Sequence, residues 1–440
     1  MIIPNDNPMA VRYLFCYILL FALTNTMLKN TIPTNTLSAA EWYRGNVHMH
    51  SYWSDADVYP EQAVDWYKEN GYHFVVLSDH TSLQIDPQRW IDIGPEPERV
   101  ALFEKFVKKY GQPETRVAEG KKQVRLSTIH ELKKKFDVSG RFLMIPGHEL
   151  NDRTNNVTLH GNAINVTDTL PFETGATLAE AIDKNALAVK KNGAETGNTS
   201  TFILNHPMWP YYDIDPISII NTKEVRLYEF LNAGGGVGLG YDESDRFWSR
   251  EFLWDIITAF RIIKGLPLIY GVGSDDAHNY LTFKDRNDNP GQCWIYVRAE
   301  KLESNAIVQS MIRGELYISN GVELEQVAFA KETGTLSVKV KPVAGVKYQI
   351  LFIGTKKDFD RTVVPFEVER TDKNPARKGW TFSKEDIGIG LAAHEGIEAS
   401  YQLKADDLYV RAVVISDQKK EILAGLTPDV SAAWTQPFCP

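Results

Sequence analysis

Nine side chains able to hold divalent cations fall into five short clusters along this chain of 440 residues. His48-Met49-His50 comes first, with Asp55 five residues on. Ser78-Asp79-His80 follows, then Gly147-His148-Glu149 with His160 eleven residues later, then Asn205-His206-Pro207, and last Gly273-Ser274-Asp275-Asp276-Ala277-His278. Seven of the ten histidines lie in these clusters. Imidazole is the commonest protein ligand for metals, and carboxylates are the natural bridges between hard or borderline cations. The pattern therefore points to a polynuclear metal site. The candidate ligands are the histidines and carboxylates of these clusters.

Each cluster alone is a weak signal, because a lone histidine is more often structural. Together they are specific. His-x-His at a strand end turns two imidazoles to one face. Asp79-His80 closes the apolar run Phe74–Leu77; either residue could ligate, or Asp79 could orient a ligand from behind. Glu149 follows the apolar run Phe142–Pro146. A bare carboxylate buried there is costly, and bridging two cations would meet the need for a partner. Glu229 is balanced between support of a ligand and ordinary strand-end hydrogen bonding, and Asn232 between a turn former and a substrate contact. His73 and His130 read as surface or packing residues, and Trp209, Trp248 and Trp254 as core rather than pocket lining.

The elements that must position these residues are legible as alternation. Short apolar, β-branched runs occur at Val47–His50, Phe74–Ser78, Phe142–Pro146, Val157–Val166, Phe202–Asn205, Val225–Leu231 and Pro267–Gly271. Helical periodicity lies between them at Pro60–Asn70, Pro97–Tyr110, Thr128–Phe136, Thr177–Lys191 and Arg246–Lys264. Strands alternating with amphipathic helices predict βαβ units. About seven of them suggest a (β/α) barrel, with the candidate ligands mostly at the C-terminal strand ends where such barrels carry their sites. Residues 86–120 form a polar, proline-containing insertion suited to a pocket rim. Residues 234–240, rich in glycine, lack the Lys-Ser/Thr ending of a phosphate-binding P-loop and read as a rim loop. Beyond Gly321 the pattern changes to alternating segments such as Leu336–Lys341, Tyr348–Phe352 and Tyr409–Ile415, which predict a small antiparallel β-sandwich.

Composition is that of a globular protein, 43% hydrophobic and 24% charged, with a net charge of -9. The length exceeds one typical core. No long Lys/Arg stripe appears, which argues against a nucleic-acid partner. An anionic small molecule is still admissible, since three divalent cations outweigh three carboxylate ligands. Arg12 and the apolar run Tyr13–Leu23 fit the h-region of a signal peptide, too short to span a bilayer, so export or an N-terminal anchor is expected. The three cysteines define no disulfide framework. Asn156, Asn165 and Asn198 each open an N-x-Ser/Thr triplet.

His48, His50, Asp55, His80, Glu149, His160, His206, Asp276 and His278, in order and spacing, resemble the polymerase and histidinol phosphatase (PHP) superfamily of metal-dependent phosphoesterases over roughly residues 42–325. Tyr228-Glu229-Phe230-Leu231-Asn232 and the segment 313–321 add to the likeness, the latter resembling an exported branch. The resemblance implies an α/β fold, a distorted (β/α)7 barrel at 39–321 followed by an all-β sandwich at 322–440, after an N-terminal segment 1–38. It implies three divalent cations, manganese, zinc or iron. His48, His50, Glu149 and Asp276 would hold the first; Glu149, His160 and His206 the second; Asp55, His80 and His278 the third. Asp275 beside Asp276 departs from the usual single aspartate, and spacing favours Asp276. His148 matches no family position.

The chemistry expected is hydrolysis. Cations polarise phosphoryl oxygens and bring the pKa of a bound water towards neutrality, so the nucleophile is a metal-bound hydroxide. No Gly-x-Ser-x-Gly nucleophile motif is present. The expected partner is a small, anionic phosphoester. The same site could hydrolyse carboxyl esters, amides or carbamates, or the chain could be a metal-stabilised binding protein.

Overall fold

The computed structural model describes residues 40–208, 214–234, 249–281, 288–368, 377–419 and 430–440. The signal-like segment, Trp209, Trp248 and residues 235–240 lie outside the described residues. Among the described residues no helix is long and apolar enough to cross a membrane.

A large mixed sheet organises the chain, with few helices beside it. Its strands are β1 (Glu41–Asn46), β2 (Phe74–Leu77), β3 (Leu143–Thr154), β4 (Val157–Ile164), β5 (Thr201–Leu204), β6 (Leu227–Asn232), β7 (Tyr270–Ser274), β8 (Trp294–Ala299), β9 (Leu316–Ser319), β10 (Tyr348–Lys356), β11 (Ile389–Glu395), β12 (Asp407–Lys419) and β13 (Val430–Thr435). Their order in the sheet is 7-6-5-4-3-2-1-8-9-13-12-10-11. Past its edge at β7 the sheet meets itself again: Met49, just beyond β1, bridges Ala277, just beyond β7. That contact brings the first and last ligand clusters together.

Helices cover the apolar faces. They are α1 (Pro60–Glu69), α2 (Pro97–Tyr110), α3 (Ile129–Phe136), α4 (Leu178–Thr196), α5 (Pro216–Asn221), α6 (Arg250–Ile263) and α7 (Ser304–Ile312). α3 shows why they start where they do. Thr128 caps it by accepting from the Glu131 amide, and the Glu131 carboxylate accepts from the Thr128 amide, a reciprocal capping box. Ile129, Leu132 and Phe136 then share the buried face. α5 and α7 went unread in the sequence; α5 is only six residues long, too short to show a helical period.

The alternation expected from the sequence breaks at β3 and β4. They form a hairpin with no intervening helix, and β4 runs antiparallel to β3 and β5. The two-residue turn is Asn155-Asn156, with φ of 53° and 66°. Positive φ at both central residues is what a type I′ hairpin turn requires, and asparagine tolerates it. β3 also extends well beyond Pro146, to Thr154, so Glu149 lies mid-strand rather than at its end.

The insertion at residues 86–126 holds α2 and a three-stranded sheet, Trp90–Asp92, Thr115–Ala118 and Lys121–Arg125. After Gly321 the described residues contain strands and no helix. A second sheet, Leu324–Ala330, Thr335–Val340 and Glu398–Gln402, shares a buried cluster with β10, β12 and β13 through Val338, Ile350, Phe352 and Val414. β13 pairs with β9, so the large sheet runs on from the ligand-bearing half into the C-terminal half.

Candidate metal centre

The nine candidate ligands converge beyond the ends of β1, β2, β5 and β7 and along β3 and β4. β1 stops at Asn46, so His48 and His50 follow it rather than lie in it. Their alternation is kept by backbone pairing: the Asp276 amide donates to the His48 carbonyl and the His50 amide to the Ala277 carbonyl, at 3.0 Å each. Met49, between them, points into the apolar core and is fully buried. His80 bridges Glu149 in the same way past the end of β2. Gly161 makes room on the other side. A Cβ there would lie 2.0 Å from the Phe202 ring and 2.9 Å from the Ile203 carbonyl, so no larger residue allows β4 to approach β5. His206 and Asp276 have φ of 23° and 50°, a region non-glycine residues rarely occupy and one that costs backbone energy.

Glu149 is the hub. It is fully buried, and five imidazoles face it: His80 at 2.6 Å, His160 at 3.1 Å, His48 at 3.4 Å, His206 at 3.5 Å and His50 at 3.9 Å. Asp276 is the second centre, with His48 and His50 each 3.1 Å away. Asp55 is the third, 3.3 Å from His278 and 3.6 Å from His80. Among the described residues three groups have ligand atoms close enough to share one ion: His48, His50 and Glu149; His80, Glu149 and His160; and His50, Asp55, His80 and His278. His80 thus stands between two groups, which spacing alone did not suggest. Asp55, His80 and His278 are 56%, 25% and 21% exposed, whereas Glu149 is 1%. The mouth of the site is on the Asp55 side.

The donor set fits divalent cations: imidazoles and carboxylates, with no thiolate. The buried atoms Nε2 of His48, Nδ1 of His80 and Oε2 of Glu149 lack a hydrogen bond of acceptable geometry, although each lies beside an opposite charge. Buried polar atoms are seldom left so, and a cation held among these atoms would supply the missing partner. The electrostatics agree. Burial opposes ionisation of Glu149 and Asp276, but His160 and His48 beside the first and His48 and His50 beside the second hold both well below the usual carboxylate range. Burial depresses His50 to about 3, helped by His278. Burial acts the same way on His80 and His278, yet Asp55, with Glu149 and Asp276, lifts them to about 10 and about 9.

Supporting groups complete the site. The Glu229 carboxylate lies 2.7 Å from Nδ1 of His48 and accepts from the His206 amide at 2.8 Å and from Nδ2 of Asn232 at 2.8 Å. A carboxylate on the far nitrogen of an imidazole fixes its tautomer and raises its basicity. Glu229 thus supports a ligand, and Asn232 serves both a turn and the site: its Oδ1 accepts from the Gly234 amide at 2.8 Å in a turn, while its Nδ2 meets Glu229 and Asp276. Asp79 accepts from the Ser51 amide and from the hydroxyls of Ser51 and Ser54, pinning the loop that carries Asp55. Asn205 went unassigned in the sequence; its Nδ2 donates to Oε1 of Glu149 at 2.7 Å and to Asn162 at 3.0 Å. Only its place beside His206 could have signalled it.

Adjacent aspartates are separated by their surroundings. Asp275 turns away and accepts from the amides of Gly291, Gln292 and Cys293 and from the Tyr67 hydroxyl. Its carboxylate is a fastener for the 291–293 segment, and Asp276 alone of the pair faces the histidines. His148, on the opposite face of β3 from Glu149, accepts from the Leu170 amide. His73 accepts from the Arg44 amide, His130 is exposed, and Trp254 is core. Asn156 is exposed in its turn, whereas Asn165 is buried, with Nδ2 donating to the Thr199 carbonyl, so folded protein offers no acceptor there.

No family model matches the chain, and no curated protein does. Among solved structures it is similar to a two-domain protein from Bacteroides vulgatus containing a PHP-like metal-dependent phosphoesterase, at 16% identity over 94% of this chain and 100% of that one, with a TM-score of 0.37. It is also similar to a metal-dependent phosphoesterase from Bifidobacterium adolescentis, at 12% identity over 61% of this chain and 95% of that one, with a TM-score of 0.31. In both proteins the phosphoesterase assignment is itself a prediction. The cluster of histidines and carboxylates in the present chain is compatible with a metal site.

Proposed function

We propose that the chain is a metal-dependent hydrolase, a phosphoesterase with three divalent cations, built on a distorted (β/α)7 barrel with a C-terminal β-sandwich. The observation that carries this reading is Glu149, a fully buried carboxylate faced by five imidazoles. His48, His50, Glu149 and Asp276 would hold one cation, Glu149, His160 and His206 a second, and Asp55, His80 and His278 a third. Bound there, such cations supply Lewis acidity and acidify water.

The chain's own residues do the rest. Glu229 holds His48 in one tautomer. Asn205 fixes the Glu149 carboxylate, and Asp79 fixes the loop carrying Asp55. The exposed Asp55 side admits substrate, while the buried side excludes bulk water and strengthens electrostatic interactions within the site. Nothing in the arrangement requires a side-chain nucleophile.

The test is turnover of 4-nitrophenyl phosphate and bis(4-nitrophenyl) phosphate by purified protein supplied in turn with manganese, zinc and iron(II). Turnover abolished by chelation and restored by metal is the expected result. Hydrolysis of aryl carboxyl esters without phosphoesters would overturn the phosphoester assignment, and metal binding with no turnover of any ester would overturn the enzyme assignment.

Metal loading should depend on pH in a stated direction. In the metal-free site His80 and His278 are raised to about 10 and about 9 by Asp55, so both are protonated at neutral pH. Their pairing stabilises the metal-free fold below the ordinary imidazole pKa, and that stabilisation is lost as pH rises through 9 to 10. Cations must displace these protons. Apparent affinity should therefore rise steadily from about pH 6 to about pH 9, with proton release seen calorimetrically in buffers of different ionisation enthalpy. Affinity flat across that window would contradict it.

A further inference from the structure

A cleft of about 700 Å³ is lined in part by residues of the two loops that carry Asp55 and His278. That volume is within the range of small-molecule sites. Tyr52, Ala56 and Asp57, Arg99 and Lys105 of α2, and Leu281 are among its lining residues. Ala56 directly follows Asp55, and consecutive Cα atoms are only about 3.8 Å apart. Leu281 follows His278 by three residues. The two loops are fastened together: the Asp57 amide donates to the His278 carbonyl at 2.9 Å, and the Asp57 carboxylate accepts from the amides of Tyr280 at 2.8 Å and Leu281 at 3.2 Å. Two of the three most exposed ligands thus sit on loops that also build this cleft.

The lining is specific in kind. Cζ of Arg99 lies 5.6 Å from the centroid of the Tyr52 ring, within cation–π range. Leu281 is 44% exposed, an uncovered apolar side chain. Arg99 and Lys105 are matched by Glu98 and Asp57, so the cleft has no surplus of positive charge for a further phosphate. A guanidinium beside an aromatic ring, with an exposed apolar side chain and balanced charge, suits a flat, uncharged ring. Another cavity, of about 1050 Å³, lies in the insertion and shares only Arg99 with this cleft; none of its lining residues belongs to the loops that carry Asp55 and His278.

Resting on the phosphoesterase reading, we propose that this cleft is a leaving-group subsite and that the substrates are phosphoesters whose alcohol carries a planar ring, an aryl or nucleobase-bearing group. Arg99 is a specificity-determining residue contributed by the insertion. Tyr52 and Arg99 hold the ring while the phosphoryl group faces the histidines and carboxylates.

Affinity for non-hydrolysable probes separates the ring from the phosphoryl group. Phenylphosphonate and methylphosphonate carry the same phosphoryl oxygens and differ in the ring. Calorimetry on manganese-loaded, full-length protein should give about tenfold tighter binding of phenylphosphonate, since ring stacking contributes on the order of tenfold per contact. Arg99→Ala should reduce the preference to about twofold or less and leave methylphosphonate affinity unchanged. Arg99→Lys, which keeps charge but loses the planar face, should fall between them. Arg99 is exposed on α2, so these variants are expected to fold. Equal affinity for the two probes in protein that still turns over phosphoesters overturns the subsite alone. Failure of both probes to bind, in protein that turns over no phosphoester, overturns the phosphoesterase reading and the subsite with it.

Discussion

Glu149→Gln is expected to lose two cations together and activity by orders of magnitude. The substitution keeps the size of the side chain and removes its charge. Five imidazoles face that carboxylate at 2.6 to 3.9 Å, and the neighbouring buried anions Asp276 and Glu229 are already engaged with His48. The Asn205 amide, which now donates to Oε1, would meet an amide that must turn its oxygen to accept. Comparison variants locate the effect. Asp55→Asn should lower occupancy chiefly in the exposed group it shares with His80 and His278. Asp276→Asn should lower it in the group of His48 and His50, and Asp275→Asn should leave occupancy largely intact. Asp275 instead holds three backbone amides, so its variant should lower thermal stability. Elemental analysis of the four proteins, with melting curves, reads all of this. Full metal content and normal turnover in Glu149→Gln would falsify the bridging role on which the three-cation reading depends.

The candidate site was more legible in the sequence than the path of the chain through it. Metal ligation demands particular side chains, and the nine residues announce themselves by type. Their supporting groups do not. Asn205 and Ser51 belong to residue types that are common at turns, and only the folded neighbourhood shows that one meets Glu149 and the other Asp79. Asp275 and Asp276 look alike in sequence. In the fold they part, one carboxylate meeting the histidines and the other the amides of 291–293. The helices α1 to α3 were legible from periodicity because that signal is local. The β3–β4 hairpin was not read, because two asparagines form the turn in place of the Asn-Gly that marks such turns most strongly. Nor does any local pattern reveal that β13, near the end of the chain, pairs with β9, since pairing across more than a hundred residues leaves no periodic trace.

That long-range pairing sets the last expectation. All nine candidate ligands precede Gly321, so the C-terminal half contributes no ligand, but it does contribute to the core. Arg411 of β12 is fully buried and grips Asp255 of α6 through two bonds, at 2.8 and 2.7 Å, with Glu251 2.8 Å from the same guanidinium. Tyr409 adds a hydrogen bond to Asp255 at 2.7 Å. The Trp434 ring packs 5.6 Å from Phe230 of β6, the strand that carries Glu229. Arg411→Ala would leave Asp255 buried with its main counter-charge removed, a change that costs about 3–5 kcal/mol when one partner of a buried ion pair is deleted. The denaturant midpoint should fall accordingly, whereas metal content below the transition should match the parent, because no ligand touches Arg411. Asp255→Asn combined with Arg411→Met should recover part of the loss, since the uncompensated charge is gone. A fragment ending at residue 320 should be insoluble, having lost Arg411, Tyr409 and Trp434 from α6 and β6 at once. If Arg411→Ala unfolds at the parental midpoint, or if the fragment is soluble and loads metal normally, the C-terminal half is an independent appendage and the continuity of the sheet does not couple the two halves energetically.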